Sequence, residues 1–224
     1  RQILQALRRA LDERTPRTGI YIEYAPCDAL AGFVDGAFDY GMSDAGLPHH
    51  PTKLPLLRYV YPEIALFEMV GHGIRPVPFE VDDLHRCLFH GMGVWIKGRC
   101  ESWFTPAFRE LARKAHPILK EHGRLFRSAD CTPLIPTLRP GLYAGRFATP
   151  EKVLITLYNA RFHDVSGDLI RLDVPSEWIV LDLLAGKPAE VRRENASAVI
   201  RGRLEPHATG LFLLNASAAA DGSR

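Results

Sequence analysis

The sequence lacks the marks of several protein classes. No apolar run approaches the roughly 20 residues that a membrane helix needs. The opening RQILQALRRALDER has neither the apolar core nor the small-residue cleavage site of a secretory leader. Neither sign of charge dominates: 28 Lys and Arg against 26 Asp and Glu give a net charge of +2, no footprint for nucleic acid. Four cysteines occur in 224 residues, Cys27, Cys87, Cys100 and Cys131, and their spacings match neither a zinc nor a redox motif. They are expected as plain thiols. The nine histidines show no ligand spacing; His49 and His50 are adjacent and cannot share a helix face, and HEXXH is absent. No metal or other cofactor is expected. The absence of a Gly-X-Ser-X-Gly elbow argues against an α/β-hydrolase. No Gly-rich phosphate loop follows the first strand, which argues against a dinucleotide-binding sheet. Two Asn-Ala-Ser triplets, at 195 and 215, are too short a signal to assign a compartment.

What is present divides by texture. Up to about residue 127, short apolar runs alternate with helical patterns. TGIYIEYA, GAFDYG, LLRYVYP and GVWIKG read as strands. VDDLHRCLFHGM reads as a helix, and TPAFRELARKAHPILKEHGRLF as a long one with Thr105 as N-cap and Pro106 at its first position; Pro117 is a candidate kink and Gly123 a candidate end. Strand, helix, strand, helix marks parallel βα units. A complete (β/α)8 barrel takes about 250 residues, so residues 1–127 fit the last three or four units of one. Ile3, Leu4, Leu7 and Leu11 recur at helical spacing, so the chain opens inside an amphipathic helix, as a fragment or processed piece would. Residues 128–145 are Pro-rich and read as a linker. From 146 to 217, short β-branched segments separated by turn signals indicate an antiparallel β-sandwich. Residues 218–224 read as a disordered tail. The expected fold is therefore α/β plus all-β: the C-terminal part of a TIM barrel, then a sandwich.

In a parallel barrel, chemistry sits at the C-terminal ends of the strands. GIYIEYAPCDALAGFVDGAFDYG places four acids there: Glu23, Asp28, Asp35 and Asp39. Paired carboxylates suit glycoside hydrolysis, in which one protonates the leaving oxygen while another attacks or activates water. A carboxyl flanked by Tyr21 and Tyr24 would be partly desolvated, which favours its acid form. Glu23 reads equally as this acid and as a helix cap or ion-pair partner. Asp39, ending GAFD, is the second catalytic candidate. Asp28 reads first as an N-cap that could share its carboxylate with a sugar hydroxyl, and Asp35 as a turn residue. Arg58 and Glu63 bracket the third strand-like run, where an arginine could orient a carboxylate or form a structural ion pair. Trp95 and Lys97 alternate onto one face of GVWIKG, offering a stacking surface and a donor, with plain core as the other reading for Trp95.

The order of IYIEYAPCDALAGFVDGAFDY, LRYVYPEIALFE, FHGMGVWIKG and PAFRELARKAHPILKEHGRLF, followed by WIVLDLLAGKPAEV and IRGRLEPHATGLFLLN, resembles the closing part of a glycoside hydrolase barrel of the α-galactosidase-like sort found in poorly characterised bacterial hydrolases. The resemblance implies a carbohydrate substrate, a carboxylate acid/base mechanism, and an acid/base carboxylate after a strand in the second half of the barrel, where Glu23 stands. It also implies that the nucleophile lies on an earlier strand, outside this sequence. The partner would then be the missing N-terminal half of the barrel, or a second copy of the chain. A non-catalytic carbohydrate-binding or structural module is the alternative.

Overall fold

The computed structural model describes residues 2–14, 18–23, 26–39, 55–70, 79–96 and 104–216. Helix α1 (Gln2–Arg14) leads to strand β1 (Tyr21–Glu23), helix α2 (Asp28–Ala31), β2 (Gly36–Asp39), α3 (Leu56–Val60), β3 (Ala65–Val70), α4 (Phe79–His90), β4 (Gly93–Ile96) and the long helix α5 (Pro106–Phe126). The four strands form one sheet in chain order, β1-β2-β3-β4, every pair parallel. A doubly wound sheet reverses its order at a switch point; this one does not. The four strands form an open sheet, and no closed barrel forms among the described residues.

The third strand lies later than the sequence suggests. LLRYV is helix α3, begun after Pro55, and the strand starts at Ala65. The i, i+4 pair Leu57 and Tyr61 packs with Ile20, Ala31, Val34 and Ile64. That helical spacing outweighs the strand preference of Tyr59, Val60 and Tyr61. Helix α5 starts as expected, with Thr105 Oγ1 accepting from the Phe108 N–H at 3.1 Å and Pro106 following. It runs past both Pro117 and Gly123 to Phe126. The buried row Phe108, Ala115, Ile118, His122, Leu125 and Phe126 holds the helix against the core, overriding the local breakers.

The stretch 128–145 is no linker. It carries β5 (Asp130–Ile135) and the start of β6 (Leu142–Ala148), paired antiparallel. Pro133 sits inside β5 at the irregularity between Thr132 and Ile135, on an edge strand, and Pro136 and Pro140 lie beyond the pairing, so no ladder donor is lost. Then follow β7 (Lys152–Asn159), β8 (Val165–Asp173), β9 (Trp178–Asp182), β10 (Lys187–Pro188), β11 (Glu190–Glu194), β12 (Ser197–Leu204) and β13 (Thr209–Ala216). They form a six-stranded sheet, β10-β9-β13-β7-β6-β5, and a three-stranded sheet, β11-β12-β8. Residues 218–224, expected as a tail, lie outside the described residues.

The central strands β13, β7 and β6 of the six-stranded sheet are buried on both faces. Leu142, Ala144, Ile155, Leu157, Phe212 and Leu214 meet Leu169, Ile170 and Ile200 of the smaller sheet. Phe147, Leu154, Leu211 and Leu213 alternate onto the other face and join the core formed by Leu66, Leu84, Leu88, Phe108 and Phe126. Double burial explains why β7 and β13 read as nearly continuous apolar runs. Buried polar bonds pin the layers together: Thr156 Oγ1 donates to the Phe89 carbonyl at 2.8 Å, and Thr209 Oγ1 to that of His85 at 2.6 Å.

Candidate active site

Register fixes what each face of the parallel sheet carries. Glu23, Phe38, Phe67 and Gly93 occupy one row, with Tyr21, Gly36 and Ala65 two residues earlier. Between those rows Ile22, Ala37 and Leu66 turn toward α4 and α5. Glu23 thus stands at the C-terminal end of β1, on the face away from the helices. Two glycines leave room for rings on that face: a Cβ at Gly36 would lie 2.4 Å from the Tyr21 ring, and one at Gly93 would lie 2.3 Å from the Phe67 ring. Tyr21 and Phe67 meet edge to face at 5.9 Å between centroids, and Phe38 and Trp95 lie tilted at 4.6 Å. Tyr21 is 52% exposed and Trp95 45%, so this aromatic floor faces open space. Glu23 is exposed beside it, not desolvated as its tyrosine neighbours suggested.

Asp39 ends β2 one row further on, its Cα opposite Glu68, so by register it falls in the row of Ala37 and Leu66, on the helix side of the sheet, and not in the Glu23 row. Strands ~4.8 Å apart rising ~3.3 Å per residue put the Glu23 and Asp39 Cα atoms roughly 6 Å apart. The Asp39 side chain and all of Lys97 lie outside the described residues. Trp95 is on the Glu23 face at the same end of the sheet, three strands away.

The other candidates go elsewhere. Asp28 is the first residue of α2, after Cys27 as N-cap, and accepts from the Tyr61 hydroxyl at 2.8 Å. It is a tie between α2 and the loop before β3, not a cap. Asp35 forms an ion pair with Arg8 and accepts from the Ile20 N–H at 2.7 Å, anchoring α1 to the start of the sheet. Arg58 and Glu63 precede β3 and so lie at the N-terminal end of the sheet, opposite the Glu23 end. The helical reading of LLRYV moved them: a strand there would have ended near residue 62, but the strand only begins at 65.

Arg58 is unusual in its own right. It is 1% exposed, and among the described residues none of its three side-chain nitrogens makes a hydrogen bond. The guanidinium carbon lies 5.0 Å from the centre of the Phe147 ring. Such a cation–π contact returns up to about 2 kcal/mol, while burying an ion costs several kcal/mol. Burial accordingly lowers the Arg58 pKa, and Arg127 nearby lowers it further. The neighbouring Tyr59 hydroxyl, raised by burial, lies 3.2 Å from His90 Nδ1. Burial drives His90 down to about 3.

Sequence reading passed over Glu68, which is 0% exposed. It alternates with Leu66 and so faces the α4 side, near Cys87, whose thiol is raised first by burial and then by Glu68. A carboxylate inside IALFEMV was the available signal. Asp83 and Arg86 form a buried ion pair on α4. No cluster of His, Cys, Asp and Glu able to hold a metal occurs among the described residues, and no helix there is long and apolar enough to cross a membrane.

No protein-family model and no curated protein matches the sequence. Solved structures do match its fold. An α-amylase from Geobacillus thermoleovorans, solved with acarbose, superposes with a TM-score of 0.67 at 14% identity over 96% of this chain and 57% of the amylase. A maltogenic α-amylase from Thermotoga neapolitana gives 0.60 at 14% identity, covering 96% of this chain and 59% of that one. A γ-cyclodextrin glucanotransferase from alkalophilic Bacillus clarkii gives 0.61 at 13% identity, covering 96% and 38%. The chain thus spans between a third and three-fifths of the length of these proteins. At such identities the likeness establishes a fold: the chain is built as a segment of α-amylase-type glycoside hydrolases is built.

Proposed function

We propose that this chain is the C-terminal part of a glycoside hydrolase, its barrel completed by preceding chain, with Glu23 as the acid/base. The placement of Glu23 carries the reading: it stands at the C-terminal end of a parallel strand, on the face that a closed barrel turns inward, beside the aromatic floor. Four parallel strands in unbroken chain order, leading through α5 into antiparallel sheets, support the barrel half of the proposal. The domains follow as a partial barrel to about residue 127 and a sandwich from Asp130 on. Asp39 is the second candidate at the same end, although its register row belongs to the other face of the sheet. Trp95 offers its exposed ring to a sugar face, Lys97 follows β4 in sequence as a candidate donor, and Asp28 would have to share its carboxylate with the Tyr61 hydroxyl. The glucan-acting neighbours favour an α-glucoside substrate over the α-galactoside that the sequence resemblance suggests. In this mechanism the Glu23 carboxyl protonates the leaving oxygen as a second carboxylate, supplied by the preceding chain, bonds the anomeric carbon; Glu23 then takes the proton of the water that displaces that carboxylate.

The test is Glu23→Gln in the protein that includes the preceding chain, assayed on maltooligosaccharides and on aryl α-glucosides and α-galactosides. Loss of general acid–base catalysis should lower kcat by about 10²–10⁴-fold. Aryl substrates with good leaving groups should lose less. Unchanged turnover removes Glu23 from the chemistry. The exposed Tyr21 and Trp95 favour one second reading, a carbohydrate-binding module without catalysis. Acarbose binding by a protein inactive on every glycoside would select it.

A further inference from the structure

Between the N-terminal ends of β3 and β4 and the second half of α5 lies a cavity of about 400 Å³. Its floor and walls are apolar, from Ile64, Leu66, Phe67, Val94, Leu119 and Phe126. All its ionisable lining groups are basic: Arg58, His116, Lys120 and Arg127. His116, Lys120 and Arg127 are exposed and form the rim, while Arg58 is buried and makes no hydrogen bond among the described residues. Arg127 also donates through Nε to the Gly123 carbonyl at 3.4 Å, which answers part of the negative end of α5.

We infer that this cavity is an anion site for a small oxyanion, phosphate or carboxylate, remote from the sugar-acting end and independent of that function. A guanidinium matches two oxygens of one anion bidentately. Here the fork is already desolvated, which strengthens such a bond. Arg58 lines the cavity, and its guanidinium rests on the Phe147 ring without a hydrogen-bond partner among the described residues, so an anion seated there supplies the acceptor that it lacks. Rim cations raise the local anion concentration and steer entry. The ligand is small-molecule in scale: the cavity, of about 400 Å³ beside α5, holds a few times the volume of phosphate.

The experiment is thermal unfolding and calorimetric titration with inorganic phosphate and, separately, malonate, on this chain and on the protein with its preceding chain. Saturable binding should raise Tm by roughly 5–11 °C at a hundredfold excess over Kd. Arg58→Met should abolish the response while raising Tm in anion-free buffer, because the unpaired buried charge is gone. Lys120→Gln, at the exposed rim, should fold normally and weaken Kd by a few-fold. Tighter binding of phosphate than of malonate, or the reverse, names the ligand class. Absence of saturable binding, or equal affinity in Arg58→Met, overturns the inference. So does a response in this chain that vanishes when the preceding chain is present, since a protein carboxylate then holds Arg58.

Discussion

Thr156→Val changes one atom type in the core and tests how the two halves are joined. Helix α4 ends in a tight turn: Met92 N–H bonds the Cys87 carbonyl at 2.8 Å and Gly91 N–H bonds that of Leu88 at 3.2 Å, with Gly91 at φ +66°. This is the Schellman arrangement, which answers the carbonyls two and three residues before the cap. The Phe89 carbonyl is passed over by that turn. Thr156, 0% exposed on β7, donates to it across 67 residues of chain. Gly145 makes this possible, since a Cβ there would stand 2.8 Å from the hydroxyl. Valine keeps the shape and removes the donor. A buried carbonyl left without its partner costs about 1–3 kcal/mol. At ~2–4 °C per kcal/mol for a chain of this size, Tm should fall by about 2–12 °C in differential scanning calorimetry. Thr156→Ser is the control, keeping the hydroxyl and losing one methyl for about 1 kcal/mol. A valine variant as stable as the parent, with serine the worse of the two, would refute the account.

Gly91→Ala should destabilise more than Thr156→Val, because its Cβ would meet the Phe126 ring at 2.2 Å in a left-handed backbone conformation; urea denaturation midpoints rank the two. Stability should fall as pH drops from about 6.5 toward 4. His85 Nδ1 accepts the Thr209 N–H at 3.1 Å, and burial, helped by His207, holds its pKa down to about 4. Below the unfolded value near 6.5 the unfolded chain takes up a proton that the folded one refuses, so stability is lost on acidification. His85→Gln should flatten the slope between pH 6.5 and 4, and His90, held near 3, should leave a residual slope. The exposed aromatic floor predicts self-association of this chain alone. Its sedimentation coefficient should rise with concentration, and Trp95→Ser with Tyr21→Ser should reduce that rise; a monomer at all concentrations would show that the face needs no cover.

Much of the fold was legible wherever a local signal had no competitor. Thr105-Pro106 fixed the start of α5 because capping is a property of a few adjacent atoms. The carboxylate ending an apolar run marked Glu23 at the edge of β1. The reading failed where a distant contact decided. LLRYV became a helix because Leu57 and Tyr61 reach a common apolar cluster. Pro117 and Gly123 did not end α5 because its buried face continues to Phe126. Residues 128–145 became strands because β6 finds β7 as a partner. Of four acids that looked like one site, two are structural ties, visible only once Tyr61 and Arg8 are placed beside them.

Composition, alternation and missing motifs by themselves determined the class: a parallel βα half, an antiparallel β half, no metal-ligand spacing, no apolar run of membrane-helix length and a carboxylate at a strand end. Those are properties of residue type and spacing along one chain. Tertiary structure alone decided which end of the sheet each candidate occupies, that the central strands of the six-stranded sheet are core on both faces, and that Arg58 is buried beside a basic cavity. Each depends on the meeting of residues far apart in sequence. Burial, and with it the cost of an unpaired charge or the freedom of an exposed one, is set by that meeting.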